Sequence, residues 1–162
     1  MTPHNATPTA TPTSNEATIP MAALLPGLAG LIPFWILALS GVLPFGLPPL
    51  LALIAFITYG AVILSFVGAI WWGLAAAVGP TAPKAAMFLW SVLPALIGWM
   101  ATLVSADLGV LILAVGFLLQ WSLDAGLVTR YPEVMPRWVF RLRTILTAGV
   151  LIAMTVAWWY LV

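Results

Sequence analysis

Residues 50–77 read LLALIAFITYGAVILSFVGAIWWGLAAA and contain no Asp, Glu, Lys, Arg or His. An α-helix rises 1.5 Å per residue, so this stretch is long enough to cross about 30 Å of hydrocarbon. A barrel strand would need a polar residue at every second position, and none of that alternation is present. A helix satisfies its own backbone amides, which lipid demands of any single span. The stretch exceeds the length required, so the helix must tilt, or the end bearing Trp71 and Trp72 must lie among the head groups.

Four more apolar stretches of spanning length surround it, at 22–40, 84–104, 107–125 and 142–161. Turn chemistry separates them: Gly41 to Pro49 (GVLPFGLPP), Gly79-Pro80 to Pro83, Ser105-Ala106-Asp107, and the polar stretch Gly126 to Arg141. Pro26, Pro33 and Pro94 fall inside spans, where each removes a backbone hydrogen bond and kinks the helix. The expected fold is therefore all-α, a polytopic transmembrane bundle of about five helices over residues 21–162. Residues 1–20 (MTPHNATPTATPTSNEATIP) are rich in Thr and Pro and lack hydrophobic periodicity, so they are expected to form a disordered, retained tail.

Composition agrees. Of 162 residues, 64% are hydrophobic and 6% charged, with a mean hydropathy of +1.16; a soluble domain carries about a quarter charged residues. With nine charged side chains, no water-soluble surface could be covered. The partner implied first is the lipid bilayer. A net charge of +1, from scattered cations, offers no basic face for nucleic acid.

Five alternating spans place Lys84, Arg130, Arg137, Arg141 and Arg143 on the side that holds the N-terminus. The positive-inside rule then predicts a cytoplasmic N-terminus and an external C-terminus. Tryptophans divide in the same way: Trp71, Trp72, Trp90, Trp121 and Trp138 fall toward the inner interface, and Trp35, Trp99, Trp158 and Trp159 toward the outer one.

Two groups of residues stand out. Ala61, Ser65, Ala69, Gly73 and Ala77 form a four-residue ladder of small side chains, a pattern that lets a second helix approach closely in lipid. Gln120 and Asp124, spaced i, i+4, share a helix face, and the chain returns to the same interface at Arg141 and Arg143. Ionisable groups at such depth are costly unless paired, so an ion pair from Asp124 to Arg141 or Arg143 is expected, either as a clasp between helices or as a polar head-group or proton site. For a clasp, exchanging the acid and the base should restore folding.

Much chemistry is excluded. Without cysteine there are no disulfides, thiolate metal sites or thiol nucleophiles, and the only histidine, His4, lies in the tail. Asp107 and Asp124 lie about 25 Å apart along one helix and cannot form an aspartyl dyad. No nucleotide, zinc-protease or dinucleotide motif is present, so no cofactor or metal is expected.

The segment YGAVILSFVGAIWWG (59–73), with Pro132, Pro136-Arg137-Trp138 and the stretch Leu142-Arg143-Thr144 to Thr147, resembles small bacterial inner-membrane proteins related to transmembrane protein 69, which share a domain of unknown function. Members often carry a polar or basic residue where this chain has Trp71. The resemblance implies a multi-pass protein of the bacterial inner membrane, with a mitochondrial inner membrane as the second choice, and brings no mechanism. The reading preferred from the residues is a non-enzymatic subunit or assembly factor of a membrane complex, with a membrane-protein partner or a homo-oligomer. Two others stay open: a small transporter or channel subunit lined by Gln120 and Asp124, and a lipid-handling enzyme acting at the inner interface.

Overall fold

Apolar residues run around every side of the long segments, and the backbone answers with helices. The computed structural model describes residues 18–44, 46–79 and 82–162. Six helices follow in order: α1 (Met21–Ala29), α2 (Ile32–Ala38), α3 (Pro49–Ala77), α4 (Lys84–Leu103), α5 (Ala106–Arg130) and α6 (Arg137–Leu161). With α1 and α2 counted as one interrupted span, Met21–Ala38, five segments are long and apolar enough to cross a membrane. Among the described residues there is no strand. The expected disordered tail falls almost wholly on residues outside those described.

The first span breaks at Gly30 and Leu31 because Pro33, near the start of α2, has no N–H to continue the ladder. An irregular backbone at membrane depth needs protein partners. Tyr59 of α3 supplies one, its hydroxyl donating to the Gly30 carbonyl at 2.9 Å. The break also seats Phe34, which is fully buried and meets Phe56, Tyr59 and Phe117 edge to face at centroid distances of 5.4, 4.9 and 6.3 Å. This aromatic group, with Leu64, Leu113 and Met154, forms the main core. Pro26 and Pro94, in contrast, sit inside continuous helices.

Glycines set how closely the helices approach. A Cβ on Gly68 would stand 2.5 Å from Pro94 Cγ, one on Gly98 2.9 Å from the Ala61 carbonyl oxygen, and one on Gly116 2.7 Å from Leu64 Cδ2. Pro94 thus docks its ring into the notch at Gly68, joining α3 to α4. Lipid-embedded helices associate through such packing because burial of apolar surface gives no drive in hydrocarbon.

Two sequence expectations need correction. The ladder divides: Ala61 is buried against α4 and Ser65 half-buried, whereas Ala69, Gly73 and Ala77 are exposed, with no atom within 4 Å of a Cβ built on Gly73. The small residues used inside the fold are Gly60, Ala61 and Gly68, because the buried face of this long helix turns gradually away from a strict four-residue repeat. The polar stretch 126–141 is also much shorter as a connection. α5 continues to Arg130 and α6 begins at Arg137, and between them Val134 and Met135 fold back, buried, onto Trp71, Ala75, Met87 and Leu127. Helices can extend beyond the hydrocarbon boundary, so charged residues there do not end them.

The outside of the bundle is apolar as well. Leu50, Ile54, Val62, Phe66, Leu89 and Leu111 are all more than half exposed. A continuous apolar exterior of this extent has lipid, not water, as its solvent.

Candidate functional site

Four helices meet at one buried polar group. Asp124, on the inward face of α5, is 1% exposed, and Arg143, on the second turn of α6, is 7% exposed; Arg143 Nε lies 2.7 Å from Asp124 Oδ2. The other carboxylate oxygen, Oδ1, accepts the indole N–H of Trp71 at 2.7 Å and the Gln120 amide at 3.0 Å. Gln120 in turn accepts the indole N–H of Trp90 on α4 at 2.9 Å through Oε1. Arg143 Nη2 reaches across to α3 and donates to the Val67 carbonyl at 3.0 Å. Beside the cluster, the Trp121 indole donates to Thr144 Oγ1 at 3.0 Å, a second polar link between α5 and α6.

The local reasons are plain in the helix geometry. The i, i+4 spacing stacks Gln120 over Asp124, and 100° per residue turns Arg143 inward while Arg141, two positions earlier, is exposed. Of the four residues singled out in the sequence, the structure brings Gln120, Asp124 and Arg143 together and pairs the acid with Arg143. Trp71, Trp90 and the Val67 carbonyl were not anticipated. The two tryptophans read as interfacial belt residues, yet they stand level with Asp124 on neighbouring helices, and each indole carries a single donor that must be satisfied when buried. A backbone carbonyl such as that of Val67 leaves no trace in the sequence.

Opposite charges in contact make the cluster neutral as a whole; Oδ1 accepts two hydrogen bonds, and Oδ2 meets the guanidinium as an ion pair. Among the described residues, Asp124 makes its contacts with Trp71, Gln120 and Arg143. The arrangement therefore ties α3, α4, α5 and α6 at one level. Among the described residues three buried atoms lack a hydrogen-bond partner: Asp124 Oδ2 and Arg143 Nε, which meet only as an ion pair, and Arg143 Nη1. The same side chain borders a partly open cavity of about 150 Å³ between α1, α2, α3, α5 and α6, whose other lining groups are mostly apolar, with Thr147 among them.

Comparison with known proteins places the chain without assigning it a task. Residues 19–159 match the model of a family described as protein of unknown function, DUF3429. Transmembrane protein 69 of Xenopus tropicalis is 36% identical over 133 residues, covering 79% of this chain and 50% of that protein. The chain thus spans about half the length of this curated relative. No solved structure matches. The five apolar helices make the chain a multi-pass membrane protein, and the family match over nearly the whole helical region shows that it belongs to the DUF3429 family.

Proposed function

We propose that the protein is a non-enzymatic subunit or assembly factor of a larger membrane complex. The observation that carries this reading is the enclosure of Asp124: it is 1% exposed, and Trp71, Gln120 and Arg143 surround its carboxylate. A transporter lined by Gln120 and Asp124, or a lipid-handling enzyme using them, would need that carboxylate to face solvent or substrate. A neutral clasp instead makes a rigid bundle, and its exterior is then available for other helices. The exposed half of the α3 ladder, Ala69, Gly73 and Ala77, supports the same reading, since small residues allow a neighbouring helix to approach within backbone contact.

The finer placement forms part of the proposal. The excess of Lys and Arg at Lys84, Arg130, Arg137 and Arg141 favours a cytoplasmic N-terminus and an external C-terminus, and a bacterial inner membrane is the membrane we favour. The test is affinity purification of the protein from its native membrane in mild detergent, with mass spectrometry of what accompanies it. A stoichiometric membrane-protein partner, lost on Gly73→Phe, is the expected result. A protein that migrates alone, whatever the detergent, would overturn the assembly reading.

A further inference from the structure

We propose that α1 is a hinged flap that turns about Gly30 and Leu31 while α2 stays fixed, and that its outward swing widens the cavity into a cleft open to the bilayer. The two halves of the first span are anchored unequally. α2 packs against α3 and α6, and its Phe34 and Ala38 are fully buried. Leu31, just before it, presses on α6, where a Cβ built on Gly149 would stand 2.8 Å from Leu31 Cδ1. α1 has no buried residue, and its Met21, Leu25 and Leu28 are exposed. It rests on α6 through Gly27, where a Cβ would stand 3.2 Å from Leu146 Cδ1 and 3.4 Å from Leu142 Cδ1.

Lipid turns that inequality into a difference in mobility. An apolar side chain that leaves a helix contact in hydrocarbon meets acyl chains of the same polarity, so packing alone holds it. Moving α1 gives up the contact at one glycine, whereas moving α2 would empty two fully packed positions. Segments with few buried contacts open most readily. The backbone also provides a place to bend. Leu31 N–H donates to the Leu28 carbonyl at 3.0 Å and Trp35 N–H to that of Leu31 at 3.1 Å, but Pro33 has no N–H with which to reach Ala29. Hinges are a few residues at element ends that absorb such a change in φ and ψ. Tyr59 steadies the pivot from α3: its hydroxyl donates to the Gly30 carbonyl at 2.9 Å, which keeps that carbonyl satisfied at membrane depth as α1 turns.

The cavity gives the motion its consequence. Pro26, Gly27 and Gly30 form the α1 side of the space of about 150 Å³, with Phe34, Phe117 and Val150 on other sides. An engineered apolar cavity of roughly this volume holds benzene. With α1 swung outward, the space admits an apolar ring or the end of an acyl chain sideways from the bilayer. The Asp124 group, built from α3 to α6, takes no part in the movement.

The sequence contains no cysteine, so introduced cysteines carry labels at chosen positions alone. The full chain in phosphatidylcholine nanodiscs is spin-labelled at two pairs of exposed positions, Leu25→Cys with Leu89→Cys and, as control, Ile36→Cys with Leu89→Cys. Double electron–electron resonance should resolve a major and a minor distance for the α1 pair and a single distance for the α2 pair. Gly27→Leu wedges α1 off Leu142 and Leu146 and should transfer the population to the minor distance already present, leaving the control unchanged. Access is read separately at Thr147→Cys, on the cavity wall, carrying a trifluoroethylthio group attached before reconstitution. Broadening of its 19F signal by lipid with a nitroxide on the acyl chain should rise several-fold with Gly27→Leu. A single narrow distance for the α1 pair in the protein without Gly27→Leu, or a Gly27→Leu distance absent from that protein, overturns the flap. A control distance that splits in parallel overturns the hinge, and unchanged 19F broadening overturns the opening of the cavity. Should Gly27→Leu fail to fold, the two distance distributions without it decide. The flap is independent of any complex the protein joins, so its failure would leave the assembly reading standing.

Discussion

Replacing Asp124 with Leu removes the counter-ion of a guanidinium that is 7% exposed and leaves the Trp71 and Gln120 donors without an acceptor. Charge centres about 4 Å apart attract by about 4 kcal/mol at an effective dielectric constant near 20, and breaking a buried pair from one side costs about 3–5 kcal/mol. Arg143→Met should cost less than Asp124→Leu, because the stranded carboxylate keeps two hydrogen bonds. Making both changes removes both charges together. What remains is the loss of acceptor for two buried N–H groups, about 1–3 kcal/mol. The double variant should therefore be more stable than Asp124→Leu alone, with a coupling energy of several kcal/mol between the sites. Equilibrium unfolding of the detergent-solubilised protein by SDS titration, followed by tryptophan fluorescence, measures all four corners of the cycle. Additive single effects, or a double variant less stable than either single, would refute the clasp.

The same geometry changes the expected outcome of exchanging the charges. Asp124→Arg with Arg143→Asp should not restore folding, because the indole of Trp71 would face another donor-only group and the Val67 carbonyl would face a carboxylate; a restored fold would show that only net charge matters. Gly68→Ala should destabilise by about 1–3 kcal/mol, since its Cβ meets the rigid Pro94 ring at 2.5 Å, whereas Gly73→Ala, with open space around it, should be neutral or stabilise by about 0.5–1 kcal/mol in the same titration. Trp71→Phe should cost about 1.5–3 kcal/mol by removing a hydrogen bond to a charged group. A C-terminal alkaline phosphatase fusion should be active and an unfolded-exported fluorescent fusion dark; the reverse would exclude an external C-terminus.

Helix type and span number were legible because hydrocarbon admits few solutions: residues 50–77 could only be a helix, and the proline and glycine punctuation around it separated its neighbours. The ends of α5 and α6 were less legible. Charged residues from Gly126 to Arg141 resemble a loop, yet nothing in water or head groups prevents a helix from continuing to Arg130, and the intervening Val134 and Met135 are drawn inward by the apolar end of the bundle. The candidate site was half legible. Gln120 and Asp124 follow from i, i+4 spacing, and an arginine near the same interface follows from alternating spans, but two arginines satisfied that condition equally.

By itself the sequence determined that the chain lives in lipid, as helices, with one acid and a few cations near a common level, because transfer of charge and of bare backbone into hydrocarbon is too costly for other arrangements. Only the tertiary structure decided which arginine turns inward, that Trp71 and Trp90 donate to Asp124 and Gln120, and that Gly68 rather than Gly73 receives a neighbouring helix. Those choices depend on the rotation of each helix about its axis. When every face of a helix is apolar, hydropathy carries no information about that rotation, and close packing and hydrogen-bond satisfaction set it instead.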